Sequence, residues 1–242
     1  MSKDAGNVLF LILIAVALFA ALSYAVTGST RTVGPSISNE KARAYAAQIL
    51  QFGATVKGAV TRVKISSACT EEMIDFSTPN YLTYGGAEKI PVNPNAPSDK
   101  RCNIFDPSGG GVSVVIPSAE ALAPPNAPTS NMLQAGHGTI WVLQGPLIGT
   151  SGPSGTVSAN DLMLVIPWLK KEVCMAINDL VGIASVGEDV PGWTSTGTTG
   201  TSQGDFISNR VIAVTPEFAG KTSYCRKQAT GEYHFTQFLM ER

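Results

Sequence analysis

"SNEKARAYAAQILQFGATVKGAVTRVKISSA", residues 38 to 68, is the stretch on which the fold turns. Ser38 or Asn39 serves as an N-cap, and Glu40 sits near the positive end of the helix dipole. Ala42, Ala46, Ile49, Gly53, Val56, Val60 and Val63 then recur in alternating steps of four and three. Lys41, Arg43, Gln48, Gln51, Lys57, Arg62 and Lys64 stay off that seam. This period predicts an amphipathic helix over 39–66 with a narrow apolar face. The small residues of that face, with Gly53 in the middle, permit close approach of another backbone, although an interior glycine costs the helix about 1 kcal/mol. Two partners satisfy such a face: a sheet of the same domain, or a neighbouring copy of the molecule meeting Ala46, Ile49, Gly53 and Val56.

Upstream, "GNVLFLILIAVALFAALSYAVTG" (6–28) contains no charged side chain. From Val8 to Val26 only Ser23 and Tyr24 carry polar groups, and a helix of that length measures roughly 28 Å, about one hydrocarbon core. The apolar run is longer than the core of a secretory signal, and "MSKDAG" is less basic than a signal's amino end, so a retained anchor over 7–27 is the expectation. "ALSYA" nevertheless has the small-residue spacing of a cleavage site. "TGSTRTVGPSISNE" (27–40) carries two glycines and a proline and reads as a hinge linker over 28–38.

Downstream, the texture is that of one extracytoplasmic body over 67–242. Cys69, Cys102, Cys174 and Cys225 all lie beyond the apolar run, with no CxxC and no Cys/His ligand cluster, so disulfides in an oxidising compartment are the expectation. Three pairings are open to four cysteines. The nearest-neighbour one, Cys69 with Cys102 and Cys174 with Cys225, would staple loop-rich segments to helix ends. Prolines at 79, 91, 94, 97 and 107 mark a long covering loop, with a short helix at "TEEMIDF". "GVSVVIP" (111–117), "TIWVLQG" (139–145), "DLMLVIP" (161–167) and "RVIAVTP" (210–216) read as strands of a small, mostly antiparallel sheet. "PWLKKEVCMAINDLVG" reads as a helix from Pro167 to a stop at Gly182, with Leu169, Val173, Ala176, Ile177 and Leu180 on one face. "GWTSTGTTGTSQGD" (192–205) reads as a flexible loop, and "GEYHFTQFLMER" as a final strand or a docked tail. The fold class expected is therefore α+β: a transmembrane helix, an amphipathic helix, then a disulfide-bearing sheet domain.

The chemistry expected of this composition is slight. Net charge is −1 with 14% charged residues and no Lys/Arg cluster, so nucleic acid is an unfavoured partner. His137 and His234 lack carboxylate or cysteine neighbours at ligand spacing, Glu71 and Glu72 read as a surface turn, and no HExxH helix occurs; an enzyme is not expected. No cofactor is expected. Calcium is open as a ligand but not placeable, because Asp99, Asp106, Asp161, Asp189 and Asp205 are scattered without a DxDxDG pattern. Trp141 and Trp168 read as core, and Trp193 as the most exposed of the three tryptophans.

The order of these parts resembles the type IV pilin-like proteins and the minor pseudopilins of type II secretion. A short candidate leader (1–6), an apolar helix directly after it, an amphipathic helix and a disulfide-bearing α+β domain carry the resemblance, with weaker support from "WLKKEVCMAIN" and "YHFTQFL". It implies a prepilin peptidase cut between Gly6 and Asn7, residence in the bacterial inner membrane with the second domain periplasmic, and assembly with other pilin-like subunits. The helix packing would then use Leu11, Ala15, Ala20 and Ala21. Members of the family usually carry Phe or Met after the cut and Glu at the fifth mature position. Here Asn7 and Leu11 occupy those places, and no acidic residue occurs from Gly6 to Thr27. A subunit without that carboxylate fits a minor, tip or initiating position better than a repeating one. The alternative is a single-pass membrane-tethered binding or scaffolding module that is neither processed nor polymerised.

Overall fold

The computed structural model describes residues 10, 12–20, 37–78, 93–115, 117–123, 141–145, 147–148, 161–192, 194–196, 200–201, 211–213, 216–229 and 231–241. The chain divides into two compact units, Met1–Ser36 and Ile37–Arg242.

In the first unit residues 12–20 are helical, and Ile12, Leu13, Ile14, Val16, Leu18 and Phe19 expose 40–73% of their surface. Among the described residues no helix is long and apolar enough to cross a membrane. Apart from Phe10, the remainder of the expected span 7–27, including Asn7, Leu11 and Ala21, lies outside the described residues, as do Gly6 and the linker over 28–36.

The second unit is α+β. Helix α1 runs Asn39–Ser66, capped by Ser38, whose side chain accepts a hydrogen bond from the Lys41 N–H. All seven seam residues are buried, and Phe52 and Ala59 join them, so the apolar face is wider than the seam. It lies on its own domain's sheet. A Cβ at Gly53 would stand 3.1 Å from the Phe235 ring and from Gln237 Oε1. Ala46, Ile49, Gly53 and Val56 are all buried, and of the two partners open to this face the sheet of the same domain takes it.

Five strands form an antiparallel sheet in the order β5-β1-β3-β8-β7. These are β1 (Trp141–Gly145), β3 (Asp161–Leu169), β5 (Gly200–Thr201), β7 (Ser223–Lys227) and β8 (Tyr233–Met240). A second sheet, β2 (Leu147–Ile148), β6 (Val211–Ala213) and β4 (Thr194–Thr196), contains one parallel pair, β2 with β6. Helix α2 (Lys171–Val181) follows β3 and packs beside α1 and against β7 and β8. Leu162, Leu164, Ile166, Phe235 and Leu239 join both helices in the main core. Met163, Val165, Tyr224 and Phe238 build a smaller cluster with Ile183 and Phe218, in which the Phe218 and Tyr224 rings stack at 4.3 Å.

The structure corrects several boundaries. Pro167 belongs to β3, not to the first turn of α2. Its missing N–H is accommodated where the β3–β8 register breaks between Ile166 and Leu169, with Trp168 at φ 56°. Helix α2 starts only at Lys171 and leaves Leu180 48% exposed, while Gly182 ends it in the left-handed region as expected. Residues 111–115 form no strand: Gly111 has φ +64°, and the Val112 N–H donates to the Ile104 carbonyl eight residues back. The expected loop over 192–205 contains β4 and β5, whose β-branched threonines suit a pleated surface. "TEEMIDF" holds only a three-residue 3-10 turn, Glu71–Met73. The C-terminal segment is the strand β8, which lies between the central strand β3 and the edge strand β7.

Two disulfides cross-link the unit. Cys69–Cys102 ties the exit of α1 to the covering loop, and Cys174–Cys225 ties α2 to β7, with Cα separations of 5.7 and 5.2 Å. This is the nearest-neighbour pairing.

Candidate functional site

Three places in the molecule gather groups that could act on a partner. The first is the helical stretch 12–20, where Ala15 and Ala20 sit among exposed apolar side chains. A run of large exposed hydrophobics marks an interaction surface or a lipid contact, because a monomer in water rarely leaves such a patch uncovered.

The second is a cleft of about 440 Å³ beside the Cys69–Cys102 bridge, lined by Asp75, Ser77, Asn93, Lys100, Phe105 and Asp106 among others. Its floor is built by side chains that replace regular structure. Asp75 is buried and accepts from the Ser77 and Asn93 N–H groups, from Ser77 Oγ and from Asn103 Nδ2 at 2.7 Å. Asn93 Nδ2 donates to the carbonyls of Glu72 and Ile74, and Asn103 Oδ1 accepts from Phe105 and Asp106. Gly109 and Gly110 close the turn so tightly that a Cβ would fall 2.2 Å from the Asn103 carbonyl oxygen or 2.4 Å from that of Ile104. The Arg62 guanidinium donates to the Gly110 carbonyl and pins the loop to α1. At the mouth Lys100 and Asp106 form an ion pair at 3.4 Å, and the Ser108 N–H beside Asp106 holds its carboxyl below the usual range. The floor's polar groups are committed to holding the loop's shape.

The third lies on the β3–β8–β7 face away from the helices. His234 and Arg226 are cross-strand neighbours, both at most 4% exposed. Burial, and then the Arg226 charge, push the His234 imidazole well below its ordinary range. Its Nδ1 lies 3.0 Å from Gln228 Nε2, and the Trp168 ring meets it edge-on at 6.5 Å. Burial pushes the Tyr224 hydroxyl up to about 12. The His234 imidazole is thus buried, neutral at physiological pH and packed edge-on against Trp168.

The expected site residues fall as follows. Cys69, Cys102, Cys174 and Cys225 are brought together in pairs. Glu71 caps an ion pair with Lys64 at 2.7 Å, and Glu72 is exposed beside it. Trp168 is core at 1% exposure; His137, Trp193 and Asp205 lie outside the described residues. Among the described residues no three His, Cys, Asp or Glu side chains are grouped to hold a metal ion. No nucleophile elbow is expected of this sequence, and that expectation is corrected: Gly200-Thr201-Ser202-Gln203-Gly204 has the spacing of one. An elbow needs a strand entering and a helix leaving. Here Gly200 and Thr201 form β5, and Ser202, Gln203 and Gly204 lie outside the described residues. No known protein family, characterised protein or solved structure matches the chain.

Proposed function

We propose that the chain is a minor pilin-like subunit, placed at the tip or at the start of a type IV pilus or secretion pseudopilus, that assembles through its apolar N-terminal helix. The observation that carries this reading is the pairing of two unlike units. One holds a helix with 40–73% exposed apolar side chains; the other is a disulfide-bonded α+β domain opening with a 28-residue helix laid on an antiparallel sheet. Ala15 and Ala20 let neighbouring helices approach closely, and van der Waals contact holds them. Before assembly the apolar segment rests in inner-membrane lipid, with the disulfide-bonded domain in the periplasm. Other pilin-like subunits are its partners, and prepilin peptidase cuts between Gly6 and Asn7.

A second reading is a tethered binding or scaffolding module. The uncharged stretch from Gly6 to Thr27 favours it, because no carboxylate is there to meet a neighbour's terminal amine. Intact mass and amino-terminal sequencing of protein recovered from its native membrane separate the two. A terminus at Asn7 is the expected result. A terminus at Met1 favours the tethered module, and one at Val26 removes the assembly helix from the mature protein.

A further inference from the structure

The cleft beside the Cys69–Cys102 bridge has a floor whose hydrogen bonds are spent and a mouth whose hydrogen bonds are not. Asp75 in the floor accepts from the Ser77 and Asn93 N–H groups, from Ser77 Oγ and from Asn103 Nδ2, and has nothing left to offer a ligand. Around the opening, the Thr78 and Ser98 hydroxyls have no hydrogen-bond partner among the described residues. Lys100 and Asp106 stand 3.4 Å apart there, 62% and 21% exposed, a loose pair whose ammonium keeps donors to spare. Phe105 supplies an apolar wall, and the buried Phe76 ring meets it T-shaped at 6.1 Å and fixes its orientation. At about 440 Å³ the space is that of a small-molecule site. Lys100 serves the loop itself poorly. Its φ is 60°, a left-handed backbone that glycine adopts freely and lysine only at a cost, and an exposed ion pair contributes little in return. The fold alone would take a glycine there.

The opening carries one positive and one negative charge, so it offers an ion no net attraction, and a wholly apolar ligand would strand both charges without water. What it holds together is donors, acceptors and an aromatic surface. A sugar ring presents the complement: hydroxyls that both donate and accept, and a face of C–H bonds that packs on an aromatic ring. We propose that this cleft binds a neutral mono- or disaccharide, with the sugar ring on Phe105 and its hydroxyls shared among Lys100, Asp106, Thr78 and Ser98. The walls need little ordering on binding. The disulfide, the Arg62 guanidinium on the Gly110 carbonyl and the Asp75 network hold them in place beforehand. This site goes beyond the assembly role and does not depend on whether the chain polymerises.

The test is amide NMR of the full, isotopically labelled chain in micelles of a detergent without a sugar head group. The probes are glucose, galactose, mannose, N-acetylglucosamine, maltose, lactose and chitobiose, with free lysine and glutamate as charged controls. At least one sugar should shift the amides of Lys100, Phe105 and Asp106 saturably, with a Kd of about 1–10 mM, and leave those of α2 unmoved. Lys100→Gly should weaken that binding about tenfold while the chain melts at or above the wild-type temperature. Thr78→Val removes only an unspent hydroxyl and should weaken it about fivefold at an unchanged melting temperature. Shifts with lysine or glutamate and none with a sugar overturn the neutral ligand. No shift with any probe overturns the site, and sugar binding unchanged in both variants overturns its placement in this cleft.

Discussion

At the scale of single residues, the polar groups buried in this domain do structural work that ordinary secondary structure leaves undone. Asp75, Asn93 and Asn103 replace a ladder in the covering loop, and His234 sits neutral between Arg226, Trp168 and Gln228. His234 has a consequence for stability. Its folded pKa lies well below the unfolded 6.5, so between those values the unfolded chain binds a proton that the folded chain refuses. Stability is therefore flat above pH 6.5 and falls below it, by up to about 1.4 kcal/mol per pH unit from this group. Urea unfolding at pH 7.5, 6.5 and 5.5 checks this, with His234→Gln expected to remove the drop between the last two; a wild-type curve equally flat across all three would contradict a neutral buried imidazole. Gly110 offers a second check. A Cβ there would collide with Ile104 backbone at 2.4 Å, so Gly110→Ala should lose about 2 kcal/mol or more, read as a lower urea midpoint at unchanged slope.

At the scale of elements, α1 holds two glycines with opposite roles. Gly58 is exposed with nothing within 4 Å of where a Cβ would stand, whereas Gly53 meets β8. Gly58→Ala should stabilise by about 0.5–1 kcal/mol, because the unfolded chain loses freedom and the helix loses none. Gly53→Leu should destabilise by about 1–3 kcal/mol despite its better helix propensity, since Phe235 and Gln237 leave it no room. Thermal unfolding of the two variants should shift in opposite directions. The seam of α1 was legible because a 3.6-residue period is a local property of the chain. Its partner was not: the same stripe suits a neighbour's helix or the home sheet, and only the position of β8 decides. Likewise Pro167 looked like a helix start because proline fits there, and a bulge in β3 fits it equally well.

At the scale of the whole molecule, the two cross-links set what the protein can withstand. The bridges close segments of 33 and 51 residues, and a chain-entropy estimate gives each about 4 kcal/mol. Replacing Cys69 and Cys102 by alanine, or Cys174 and Cys225, should each lower the unfolding free energy by an amount of that order, measured by urea denaturation of the non-reduced protein. On the proposed assembly function, Ala20→Arg should abolish incorporation into the filament while far-UV circular dichroism and both disulfides stay as in wild type. Retained incorporation would count against assembly through this helix.

The sequence by itself determined the α+β character, the limits and central seam of α1, the Gly182 stop and the uncharged stretch near the amino end. Each is written in neighbours a few residues apart or in residue type alone. The tertiary structure decided the rest: which surface α1 covers, that Pro167 and Trp168 belong to a strand, that threonine-rich segments pair, and that the Asn178 amide meets the Cys225 backbone. Those are contacts between residues far apart in the chain, 47 positions for Asn178 and Cys225, and local pattern carries no record of which distant groups will meet once the core closes.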